Sequence, residues 1–223
     1  VVPAFALFCT ATNAINKKIM LIDNVNSVFR AEIVGGVIKI TPISSGVAYL
    51  TVTPEDNVKD FAVDKYTYYN NSLVQTFRVK VADGSVDYPF EIKSVTNFET
   101  MLDDIEEGNN TGVFYNYVLT NNINISRVDR VVDIKGDQNK SKFTLDGKFS
   151  YYRNGIEYKN IYSLAGLNIK YNATNLTKDV NLGLFGSIAN VNLYNLDIIN
   201  STIEITLGTT NEHVLNVGLL AGE

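Results

Sequence analysis

Asn181-Leu182-Gly183-Leu184-Phe185-Gly186 and Asn216-Val217-Gly218-Leu219-Leu220-Ala221-Gly222 are two settings of one phrase, with Gly183 and Gly218 35 residues apart. A phrase that returns at such a period marks a solenoid, in which each coil buries the apolar face its neighbour leaves open. Ile188, Val191, Leu193, Leu196, Ile198, Ile203 and Ile205 supply apolar positions that stack on counterparts one turn away. Asn190, Asn192, Asn195 and Asn200 suit the turn corners, because Asn tolerates left-handed backbone. Gly183, Gly186, Gly218 and Gly222 suit places where a Cβ would clash. Because the second phrase runs into Glu223, the reading expects further coils after it, and a sticky edge at the last rung.

Upstream, Thr96 and Glu99 form a capping box, and Phe98, Met101 or Leu102, and Ile105 fall at helical spacing. These residues predict one short helix near 97–106. Its acidic far end (Asp103, Asp104, Glu106, Glu107) opposes the helix dipole, which predicts fraying before Gly108. Such a helix would shield the strand edge of the first coil. The N-terminal third is different. Strands are expected over Phe5–Thr12, Lys18–Ile22 and Val28–Ile33. Gly35-Gly36 marks a hairpin into Val37-Ile38-Lys39-Ile40, and Gly46–Pro54 alternates until Pro54 stops the ladder. Phe77, Val79 and Val81 would share one face of a closing strand. Short strands with turns between them indicate an antiparallel sandwich. The boundary falls at Asp83-Gly84, giving domains 1–84 and 85–223.

Two resemblances attach to these residues. Phe29-Arg30-Ala31-Glu32-Ile33, Gly36-Val37-Ile38 and Gly46-Val47-Ala48-Tyr49-Leu50-Thr51-Val52-Thr53-Pro54 resemble the closing half of a bacterial Ig-like domain, group 2. Tyr117-Val118-Leu119-Thr120-Asn121-Asn122-Ile123-Asn124-Ile125 and Phe143-Thr144-Leu145-Asp146-Gly147 resemble the opening of right-handed parallel β-helices on bacterial surface proteins. The Gly183–Gly186 phrase with the following Asn-Leu-x-Ile is similar to the GLUG repeat of such proteins. The resemblance implies an all-β chain, an Ig-like β-sandwich followed by a right-handed parallel β-helix. It further implies an extracellular, bacterial cell-surface or secreted protein of the stalk or adhesin kind. The alternatives carried beside it are a β-helix polysaccharide lyase or hydrolase, and a structural subunit of a surface array whose edges are filled by neighbouring copies.

Composition bounds the rest. The 223 residues are 45% hydrophobic and 19% charged, which suits a folded chain. A net charge of −5 speaks against nucleic acid or an anionic membrane as main partner. No apolar run is long enough to span a bilayer. The apolar Val1–Cys9 lacks a basic flank and reads as a strand of a longer precursor. Seven Asn-x-Ser/Thr sequons (Asn70, Asn109, Asn124, Asn139, Asn172, Asn175 and Asn200) are roughly twice what chance gives in so Asn-rich a chain, which makes them weak evidence of glycosylation.

One cysteine, Cys9, excludes an internal disulfide and reads as an inert buried thiol, and one histidine excludes a His-pair zinc site. His213 reads as a surface turn residue beside Glu212. Catalytic, cofactor and metal residues are expected to be none. Were the chain an enzyme, Asp129, Asp133 and Asp137, with Arg127 and Arg130 nearby, would be its carboxylates. The same segment reads as a solvated loop. Calcium at Asp83, Asp87 or Asp146 would lack EF-hand or RTX spacing. Two Tyr clusters, Tyr66-Tyr68-Tyr69 and Tyr151-Tyr152-Tyr158-Tyr162, fit half-exposed strand positions. Tyr151, Tyr152 and Tyr158 are also the candidate contacts to a host or cell-wall glycan, since phenol rings stack on sugars and hydrogen-bond them. A surface protein or a neighbouring copy are the other partners considered.

Overall fold

The computed structural model describes residues 18–61, 65–68, 70–153, 156–208 and 213–223. Phe5–Thr12 and Cys9 lie outside them. The chain is mostly β with one α-helix among the described residues, and it divides into two compact units, Val1–Asp83 and Gly84–Glu223.

Unit 1 holds β1 (Ile19–Ile22), β2 (Phe29–Val34), β3 (Val37–Pro42), β4 (Gly46–Pro54), β5 (Val58–Phe61), β6 (Lys65–Tyr68) and β7 (Gln75–Val81), all antiparallel. β1, β4 and β7 form one sheet; β2–β3 and β5–β6 are separate pairs. Gly35 and Gly36 both take positive φ (59° and 79°), which two-residue hairpin turns require. The β2–β3 face packs Phe29, Ala31 and Ile38 on Leu50, Val52, Val79 and Val81. Phe77 is 39% exposed, although its spacing puts it on the face of the buried Val79 and Val81. Asn57, buried beside Thr53, donates to Thr53 Oγ1 (3.0 Å) and Asn70 O (2.9 Å) and accepts from Asn70 N (2.7 Å). That side chain ties the end of β4 to the turn at Asn70, and its desolvation is offset because every polar atom is paired.

Unit 2 holds β8 (Phe90–Ile92), α1 (Val95–Thr111), β9 (Asn116–Leu119), β10 (Ile123–Asn124), β11 (Val132–Lys135), β12 (Phe143–Asp146), β13 (Lys148–Arg153) and β14 (Ile156–Ile161). β15 (Ser163–Ala165), β16 (Asn168–Ala173), β17 (Val180–Leu182), β18 (Phe185–Ala189), β19 (Val191–Tyr194), β20 (Asp197–Ile199), β21 (Thr202–Leu207) and β22 (Leu215–Val217) follow. Its sheets are small and parallel: β19-β12-β9-β8, β10-β15-β20, β11-β18, β16-β21 and β17-β22. The two glycine phrases lie side by side, Asn181 against Asn216 and Leu182 against Val217. A Cβ on Gly183 would sit 2.6 Å from Gly218 O, so close backbone approach requires glycine there.

The apolar partners stack in register: Val191 on Phe143, Leu193 on Leu145, Ile198 on Leu164, Ile203 on Ile169 and Ile188 on Ile134. Phe90, Tyr117, Phe143 and Phe185 run through the core as a file of rings with centroids 5.7, 5.8 and 6.1 Å apart. Asn190, Asn195 and Asn200 adopt left-handed backbone (φ 53°, 49° and 51°), whereas Asn192 lies within β19 opposite Thr144.

The helix is longer than its sequence signals suggest. Ser94, not Thr96, is the cap: its extended backbone leaves β8, and its Oγ accepts from Asn97 N (3.3 Å) while Asn97 Oδ1 accepts from Lys93 N. Phe98, Met101, Leu102 and Ile105 are buried in the core of unit 2. The acidic far end holds past Gly108 because partners outside the helix compensate for the dipole. Arg130 pairs with Asp103 (2.5 Å) and Glu106 (3.5 Å), and Asn109 bridges Asp133 O and Lys135 N of β11, both at 2.7 Å. Gly112, in left-handed backbone, then ends it.

Candidate functional site

Between β12 and β15 the parallel pairing is interrupted by β13–β14, the one antiparallel pair among the described residues of unit 2. Six residue pairs, from Lys148 with Ile161 to Arg153 with Ile156, close the hairpin. All six residues of β14 are exposed. Alternation puts Phe149, Tyr151, Ile156, Tyr158 and Asn160 on one face. Tyr151 stands opposite Tyr158, and their rings stack with centroids 5.3 Å apart and planes 10° apart. Phe149 lies 6.3 Å from Tyr151 at 25°. Tyr151 and Tyr158 remain 37% and 39% exposed, and Ile156 is 58% exposed. Glu157 and Lys159 pair at 2.9 Å on the other face. Cross-strand stacking stabilises the hairpin, and the outer ring faces and edges stay in water. Of Tyr152, Tyr66 and Tyr68 only the backbone is described, and Tyr69 lies outside the described residues.

The carboxylates singled out in the sequence take separate duties. Asp133 Oδ1 accepts from Ser187 N (2.9 Å), capping an amide of β18, and a Cβ on Gly186 would collide with it. Asp137 accepts from Asn139 N (2.7 Å) and lies 3.9 Å from Lys140 Nζ. Asp129 is exposed. Arg127 and Arg130 reach the helix instead, Arg127 pairing with Glu99 at 3.2 Å. Asp146 accepts from Lys148 N and Asn195 Nδ2, holding the turn into the hairpin. His213 Nδ1 lies 3.4 Å from Asp179. No group of three His, Cys, Asp or Glu with metal-binding geometry occurs among the described residues.

Two features were missed in the sequence. Tyr117 is buried, and its hydroxyl donates to Asp104 Oδ2 (2.5 Å). Burial foremost, then the Asp104 hydrogen bond and charge, and Tyr115, push its ionisation well above the usual phenol range. The ring contact of Tyr117 with Phe143 had no sequence signal, because the ladder pairs Tyr117 with Leu145 and the two rings meet on the diagonal. A surface depression of about 420 Å³ in unit 1, lined by Leu21, Val25, Arg30, Glu32 and Ile33 among others, had no sequence signal. Its one carboxylate, Glu32, lies 3.8 Å from Lys39 Nζ.

The chain matches no family model, no curated protein and no solved structure. Among the described residues, no helix is long and apolar enough to cross a membrane.

Proposed function

We propose that the chain is a non-enzymatic extracellular or cell-surface protein of the stalk or adhesin kind, in which β13–β14 is the contact surface for a glycan. Unit 1 is read as an Ig-like spacer and unit 2 as a right-handed parallel β-helix. Antiparallel pairing around one core supports the first reading. Parallel ladders joining residues a few tens of positions apart support the second.

The observation that carries the functional reading is the exposed Tyr151–Tyr158 stack, backed by the half-buried Phe149, on a hairpin whose second strand is exposed at every residue. Aromatic faces at a half-wet surface take the C–H face of a pyranose, and phenol hydroxyls bond its oxygens. Asp133 and Asp137, bound to backbone amides, support a structural duty for those carboxylates.

The test is a glycan array probed with the full chain and with Tyr151→Ala/Tyr158→Ala. Binding by the wild type, lost in the double variant with unit 2 still folded, supports the reading. Cleavage of any glycan on a polysaccharide panel, abolished by Asp129→Ala at an exposed position, would overturn it in favour of an enzyme.

A further inference from the structure

The stacked phenols of the β13–β14 hairpin differ in geometry from the other ring contacts of unit 2. Core rings meet tilted or edge-on, with planes 37° to 73° apart, whereas Tyr151 and Tyr158 differ by only 10°. The ladder explains the difference. Tyr162 N donates to Gly147 O (2.8 Å), and every second pair of an antiparallel ladder is bonded in this way, which makes Tyr151 and Tyr158 a bonded pair. Such partners have Cα atoms about 5.5 Å apart. The ring centroids, 5.3 Å apart, keep nearly that spacing, so the two phenols rise side by side from one face.

Both rings are open to solvent. Tyr49 and Tyr194 are more exposed, yet neither has a ring neighbour, and no other two tyrosine rings stack among the described residues. The hairpin itself is held mainly by its own ladder, since β14 is exposed at every residue. A two-stranded hairpin is marginal in water. With a single cysteine in the chain, no internal disulfide can staple it.

We infer that Tyr151 and Tyr158 are a site of oxidative coupling, at which hydrogen peroxide and a haem peroxidase join them as dityrosine. Each phenol gives up one electron and its hydroxyl proton, and the unpaired electron spreads to the ring carbons ortho to oxygen. One carbon–carbon bond forms between an ortho carbon of each ring. Each of those carbons then loses its proton while the phenol oxygen regains one, which restores both aromatic rings. The two electrons and two protons removed in all reduce one peroxide to two waters. The new bond closes the hairpin covalently between β13 and β14. Alignment favours this pair over tyrosines on separate chains, because the encounter is already made. Coupling needs only the ring pair and is independent of any glycan.

The test treats the full chain with hydrogen peroxide and a haem peroxidase, beside a sample of free tyrosine that shows the oxidant to be active. Dityrosine fluorescence is expected in the single-chain band of a denaturing gel, at a yield that dilution does not change. Mass spectrometry of proteolytic peptides should place the link between Tyr151 and Tyr158, with the loss of two hydrogens. Tyr151→Phe and Tyr158→Phe keep an aromatic ring but remove one phenol, and each should lower the single-chain yield about tenfold or more. Tyr152→Phe and Tyr194→Phe should leave it unchanged. A link at other tyrosines, an undiminished yield in Tyr151→Phe, or coupling only between chains overturns the inference. So does an absence of coupling while free tyrosine reacts.

Discussion

In unit 1, Val34 pairs with Val37 and Phe61 with Lys65, partners three and four positions apart; in unit 2, Phe143 pairs with Val191 and Val180 with Leu215. Among the described residues of unit 1, β2–β3 and β5–β6 pair strands adjacent in sequence, and at Gly35-Gly36 turn chemistry specifies the pairing. Parallel neighbours cannot be joined by a tight turn, and in unit 2 register depends on stacked side chains and close glycine contacts. A defect in unit 2 is therefore expected to spread along the stack, and one in unit 1 to stay near its turn. The longer loops closed in unit 2 also predict slower folding.

The largest expected effect is at the ring file. Phe143→Ala removes a buried ring that touches Tyr117 and Phe185, and should cost unit 2 about 3–5 kcal/mol. Hydrogen exchange should show protection lost in β9 and β18 together while β2 and β3 keep theirs. Loss in both units would break the comparison. Asp133→Ala strands the amide of Ser187 and should cost about 2 kcal/mol, read from denaturant midpoints.

Tyr117 offers a pH-dependent probe. Its folded ionisation is raised, so its contribution is fully present below the unfolded phenol value near about 10. Above that, the unfolded chain releases a proton the folded chain keeps, and stability falls by about 1.4 kcal/mol per pH unit. Tyr117→Phe should flatten the fall in unit 2 melting between pH 10 and about 11.5. An unchanged slope would assign the alkaline loss to other groups. The smallest effect belongs to the turn: Gly36→Ala at φ 79° should cost unit 1 about 1 kcal/mol and leave the unit 2 transition in place.

Local chemistry made several features legible. The β2–β3 hairpin needed only Gly35-Gly36, and the helix stripe Phe98, Met101, Leu102 and Ile105 is a matter of 3.6-residue spacing. The paired glycine phrases named residues that meet in register. Of the candidate site, Tyr151 and Tyr158 could be named, but their stacking could not, because register places them opposite one another. Thr96 and Ser94 are both good caps, and the exit from β8 decides between them. Arg130 could have served Asp129 or the helix; folding carries it to Asp103 and Glu106.

The sequence by itself determined a mostly β chain with one amphipathic helix, since periodicity and turn residues act over a few positions. Only the tertiary structure decided that Asp133 caps β18, that Asn109 ties the end of the helix to β11, and that burial beside Asp104 raises the ionisation of Tyr117. These groups meet across separations of 54, 26 and 13 residues, where the partner is chosen by packing and not by the neighbouring chain.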